Sequence, residues 1–225
     1  MFKGFKCTGF IAGVAAVIAA TVIICASAAS CSVGSVTFKA DYYFVCYRIA
    51  DNALSASSLS GTVSSYGGAG YILSYDEGYY VTVSCYYKKT EAETVCTSLK
   101  RRELDCSVLE VNTNKYKIKS YGAKKNAELY LGNLNTLYSL SSLAYECANG
   151  LDTGAYTQEK AKEVVYTIKS GLNNLLRTNG GNCFMNGINA LIAECEDKER
   201  GFLYSKDMRY LQIAIVDLLI NIELY

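Results

Sequence analysis

The stretch GYYVTVSCYY, residues 78–87, decides how the chain is read. It alternates with a period of two and is rich in aromatic and β-branched residues, so it predicts a strand. DYYFVCYRI (41–49) carries nearly the same pattern. Between them, DNALSASSLSGTVSSY (51–66) places Ala53, Leu54, Ala56, Leu59 and Val63 at roughly helical spacing, with Asp51 placed to cap. GGAG (67–70) breaks that helix, and GYILSYD (70–76) reads as a strand turning through Asp76-Glu77-Gly78 into YYVTVSCYY.

The order then repeats. EAETVCTSLKRREL (91–104) sets Ala92, Val95, Cys96 and Leu99 on one face, with Thr90 as its expected cap. CSVLEVN (106–112) closes the unit as a strand, which KYKI (115–118) extends. Strand–helix–strand is thus written twice, offset by 37 residues, so that Tyr42-Tyr43 corresponds to Tyr79-Tyr80. Two such halves joined by a hairpin give β-α-β-β-α-β, a ferredoxin- or RNP-like α+β domain with a four-stranded antiparallel sheet. The two tyrosine strands are its centre, and both helices share one face.

Helices on one face leave alternate residues of the central strands on the other. Val45, Val81, Val83 and Cys85, with Tyr79 and Tyr87, suit the covered face. Tyr42, Phe44 and Cys46, with Tyr80, Thr82, Ser84 and Tyr86, are then expected on an open face. Such a face can stack on a flat ligand and hydrogen-bond to hydroxyls. The alternative is that the aromatics pack on the C-terminal region or on a neighbouring chain.

The order of elements, with YYFVCY, Asn52-Ala53, GYI before a hairpin and YYVTVSCY at the third strand, resembles the SPOR domain family over residues 42–118. The resemblance implies non-catalytic binding of peptidoglycan glycan strands stripped of stem peptides, through the open sheet face of a membrane-anchored protein. It implies a glycan site at Tyr42, Phe44, Cys46, Tyr80, Thr82, Ser84 and Tyr86, and work at the cell wall in division or sporulation. The chain departs from the family's usual first strand at Cys46 and at Arg48-Ile49. An RNA-recognition domain shares this fold. Residues 36–120 hold ten basic and nine acidic side chains, without the basic excess a phosphate backbone asks for, so no nucleic-acid partner is expected.

Lys3 and Lys6 precede CTGFIAGVAAVIAATVIICASAA (7–29), and no further charge follows until Lys39. An apolar run of about 20 residues can cross a bilayer, and positive charge before it favours an inside N-terminus. The expectation is a single-pass membrane anchor with residues from about 32 onward extracytoplasmic. A cleaved signal at Ala26-Ser27-Ala28 or a lipoprotein site at Ser30-Cys31 would export the same part. Ten cysteines include Cys46, Cys85, Cys96, Cys106, Cys147 and Cys195; their spacings hold no CxxC and define no disulfide framework. Free, buried thiols are the preferred reading.

After Gly122 strand patterns give way to helical ones, so the expected units are an anchor or signal segment (1–35), the SPOR-like domain (36–120) and an all-α helical bundle (121–225). Helices are expected over 123–148, 157–178 (capped by Thr157), 183–195 and 206–225, the last apolar on most sides and suited to a bundle centre or a protein partner. Glu194, Glu196, Asp197 and Glu199, interleaved with Lys198 and Arg200, read as a solvated polar face. With no His in the chain and no nucleophile–base constellation, an enzyme is not expected, and no cofactor or metal site is assigned. The alternative function is a structural or assembly protein binding other proteins through its sheet face and C-terminal helices.

Overall fold

The computed structural model describes residues 34–76, 78–113, 116–120, 124–178 and 184–221. The expected N-terminal anchor or signal segment lies outside the described residues. Among the described residues, no helix is long and apolar enough to cross a membrane.

Strand β1 (Gly34–Phe38) leads into β2 (Asp41–Ala50) and helix α1 (Ala53–Ser65). Strands β3 (Tyr71–Tyr75) and β4 (Gly78–Tyr86) form a hairpin, followed by α2 (Lys89–Lys100), β5 (Ser107–Asn112) and β6 (Tyr116–Ser120). Helices α3 (Lys124–Asp152), α4 (Gln158–Thr178), α5 (Phe184–Arg200) and α6 (Ser205–Ile220) complete the molecule. The fold is α+β: a four-stranded antiparallel sheet with a helical region. Sheet order is β3-β4-β2-β5, with the two tyrosine strands adjacent at its centre. KYKI does not extend β5. It falls on β6, which pairs with the unanticipated strand β1 in a separate ribbon, Phe38 opposite Tyr116.

The caps sit slightly away from where the sequence suggests. Asn52, not Asp51, caps α1, its Oδ1 accepting from the Ser55 N–H at 2.9 Å. Thr90 lies inside the first turn of α2, which starts after an extended Lys88 and has no side-chain cap. Thr157 does cap α4, its Oγ1 accepting from the Lys160 N–H. After α1 the chain reverses through Gly70 (φ 65°), where an added Cβ would stand 2.7 Å from the Ser60 carbonyl oxygen. Only glycine meets both demands.

A β-bulge breaks the alternation of β4. Val45 pairs with Ser84, Cys46 with Thr82 and Arg48 with Val81, leaving Val83 on β4 and Tyr47 on β2 without partners in the ladder. One extra residue flips every side chain beyond it to the other face. Tyr86 therefore joins Val45, Ala92, Cys96 and Cys106 beneath α2. Cys85 and Tyr87 go with Tyr42, Phe44 and Cys46 on the opposite face. The expected grouping of Tyr80, Thr82, Ser84 and Tyr86 is corrected accordingly: Ser84, opposite Val45, and Tyr86 lie past the bulge.

That opposite face is not open. Helices α3 and α6 lie on it, and the largest buried cluster runs from Tyr42, Phe44, Leu73 and Cys85 into Leu137, Leu211, Ile215 and Leu219. Helices α4 and α5 pack on this layer from outside. The sheet is therefore covered on both faces, and the alternative that its aromatics pack on the C-terminal region is the arrangement found. Helix α6 is apolar on most sides because it lies between the sheet and the other helices.

Candidate functional site

The seven residues expected on an open face divide into two buried sets. Tyr42, Phe44, Cys46 and Thr82 have no exposed surface, Ser84 retains 2 %, Tyr86 8 %, and only Tyr80 is half-buried. Tyr42 packs within 5.9 Å of Tyr87 and 6.5 Å of Tyr138 on α3, ring centre to ring centre. Tyr86 meets Tyr145 edge-on at 6.1 Å. These rings make a helix–sheet joint of tilted and T-shaped pairs, avoiding the face-to-face sandwich that aromatic quadrupoles disfavour.

Polar groups lock the same joint. Gln212 Nε2 donates to the Cys85 carbonyl at 3.1 Å, and Tyr71 donates to Asp217 Oδ2 at 2.5 Å. Tyr87 and Ser141 share a hydrogen bond at 2.9 Å, and Tyr145 donates to Glu91 at 3.0 Å. Thr82 donates to the neighbouring Tyr71 carbonyl. Burial pushes the Cys46 thiol up to about 12 and raises Cys85 and Tyr87 well above their ordinary values. Groups so far from ionising at neutral pH suit packing, not proton transfer.

The acidic run in α5 is also structural. Lys198 reaches Glu194 at 3.1 Å and Asp207 of α6 at 3.3 Å, and Lys169 of α4 pairs with Glu199. These half-buried pairs tie three helices together, so the run is more than the solvated face its charge pattern suggests. Among the described residues, no group of three or more His, Cys, Asp or Glu side chains could hold a metal ion.

Open concave surface lies elsewhere. A cavity of about 570 Å3 sits where the C-terminus of α1 meets the α5–α6 connection, lined by Ser64, Tyr156, Gln158, Phe202, Tyr204 and Lys206 among others. Its wall is firmly built. Gln158 donates to the Leu203 carbonyl and accepts from the Leu203 N–H, both at 2.8 Å. That clamp sinks Leu203 into the core and turns its neighbours outward, leaving Phe202 64 % and Tyr204 57 % exposed with ring centres 5.0 Å apart. Asp207 accepts from the Tyr204 N–H, fixing the start of α6. Lys206 donates to the Ser64 carbonyl at 3.0 Å, a cation at the negative end of α1. Neither Phe202 nor Tyr204 belongs to any pattern that the sequence marks as a site. Their one local signal is two aromatics in the four-residue connection Gly201-Phe202-Leu203-Tyr204 between helices.

Compared with family models, curated proteins and solved structures, the chain matches none.

Proposed function

We propose that the protein is a non-catalytic module that assembles with other proteins on the outer side of a membrane, held there by residues 7–29. The observation that carries this reading is the exposed Phe202–Tyr204 pair on a braced connection beside a cavity. Rigid aromatic anchors of this kind supply much of the energy of protein interfaces. The sheet face that glycan binding would use is filled by α3 and α6 instead.

Glycan recognition is the second reading, and one feature favours it. The cavity joins aromatic rings to the Ser64 and Ser205 hydroxyls, groups that stack on and hydrogen-bond to sugars. One experiment separates the two. A photo-crosslinking residue is placed at Phe202 in cells, and the purified chain is incubated with peptidoglycan before and after amidase treatment. Assembly predicts a discrete protein adduct from position 202 and no retention on either peptidoglycan preparation. Retention that rises once stem peptides are removed, and that Phe202→Ala with Tyr204→Ala abolishes, would replace assembly with glycan binding at the cavity.

A further inference from the structure

Cys96 and Cys106 are ten positions apart in the sequence, and the fold brings them together. Cys96 lies in the last turns of α2 and Cys106 immediately precedes β5. Glu103, in the intervening turn, adopts the left-handed conformation (φ 64°) that reverses the chain. The two sulfur atoms stand 3.1 Å apart. Each thiol also faces the other's backbone: Cys96 Sγ lies 3.3 Å from the Cys106 carbonyl oxygen, and Cys106 Sγ 3.2 Å from that of Cys96. The sulfurs need approach only by about 1 Å to reach bonding distance.

We propose that Cys96 and Cys106 form a disulfide site that ties the end of α2 to the start of β5 in an oxidising compartment. In the cell this rests on the exported location given above; the chemistry does not. Both thiols give up their protons, two electrons pass to a small-molecule disulfide such as glutathione disulfide, one S–S bond forms, and two glutathione thiols leave. Both thiols are buried in the folded chain, where Cys106 borders a second cavity, of about 260 Å3, between α1 and α2 with Tyr47, Tyr66 and Arg102 around it. The other described cysteines are buried and unbridged.

Burial first, then the hydrogen bond to Cys96, pushes the Cys106 thiol up to about 12. The folded dithiol therefore reacts slowly, since the thiolate is the nucleophile. The bridge closes most readily during folding, while both thiols are accessible, and acts as a staple and not as an exchange catalyst.

The test refolds the full chain in mild detergent with a mixture of reduced and oxidised glutathione, then blocks free thiols with N-ethylmaleimide. Trypsin cuts between the cysteines, after Lys100 and Arg102. The bridged pair is therefore recovered as peptides 90–100 and 103–115 joined together, lighter than their sum by two hydrogen atoms. Cys96→Ser and Cys106→Ser each lose that species. The bridged chain melts roughly 5 °C or more above its reduced form, as closing a short loop predicts. Recovery of both peptides as separate N-ethylmaleimide adducts, or of either bridged to another cysteine, overturns the site. A bridge whose reduction leaves the melting temperature unmoved overturns the staple. A bridge that forms on refolding but is absent from thiol-trapped cells sinks the exported location and leaves the disulfide site standing.

Discussion

Tyr71 and Asp217 meet across the joint between the edge strand β3 and helix α6, and their bond is the polar contact most open to a direct test. Asp217 is held above the usual carboxylate range by burial, against the pull of hydrogen bonds from Tyr71 and Asn221. The native state thus keeps a proton that the unfolded chain releases near pH 4. Below that point both states are protonated and the contribution of this group is fully present. As pH rises through the elevated native value, the contribution is lost. Wild type should therefore lose urea resistance relative to Asp217→Asn, which has no carboxyl to titrate, as pH rises above about 4. Equal slopes in the two proteins would mean that Asp217 ionises normally. Tyr71→Phe should cost about 1–3 kcal/mol at neutral pH, because it leaves a half-buried acceptor short of a donor. A denaturant midpoint unchanged by Tyr71→Phe would show that water replaces the hydroxyl.

Among the elements, β4 separates what the sequence discloses from what it conceals. The alternation of YYVTVSCYY is enough to place a strand, and its near-copy in DYYFVCYRI is enough to place the two side by side. Neither tells that Val83 is an extra residue, because a bulge changes backbone pairing and leaves composition untouched. Strict alternation therefore puts everything past it on the wrong face: Tyr86 lies on the α2 side, and Cys85 and Tyr87 lie against α3 and α6. Deleting Val83 takes the irregularity out of β4 alone, leaves Tyr47 of β2 unmatched, and should prevent folding, since it drives Tyr86 out of its cluster and Cys85 into it. Val83→Ala, which keeps the register, should fold with a loss of about 1–2 kcal/mol at this half-buried site. Comparable stability for the two variants, read by urea denaturation and near-ultraviolet circular dichroism, would remove the bulge from the explanation. The Phe202–Tyr204 site was illegible on other grounds. It depends on the Gln158 amide reaching Leu203 across 45 residues, a pairing that no local pattern encodes.

At the scale of the whole molecule, the question is whether the break in composition after Gly122 marks a break in stability. Every described strand ends by Ser120 and the described chain from Lys124 on is helical, yet Tyr42, Phe44 and Leu73 share one buried cluster with Leu137, Leu211 and Leu219. A sheet with aromatic side chains on both faces cannot leave one face to water without exposing an apolar surface large enough to drive association. A fragment of residues 36–120 should accordingly aggregate or bind hydrophobic dye, whatever its secondary-structure content. Leu211 offers the sharper test, because it lies fully buried on α6. Leu211→Ala removes buried methyl groups and leaves a cavity, at a cost of about 2–5 kcal/mol. If the core is continuous, hydrogen-exchange protection should fall by a similar factor in β2, β4, α3 and α6, although the substituted residue belongs to α6 alone. Were the sheet region an independent unit, protection in β2 and β4 would persist while α6 opened. Parallel loss across all four elements places the cooperative boundary around the joint and not at Gly122, and it makes the helical region the condition for the sheet to exist in water.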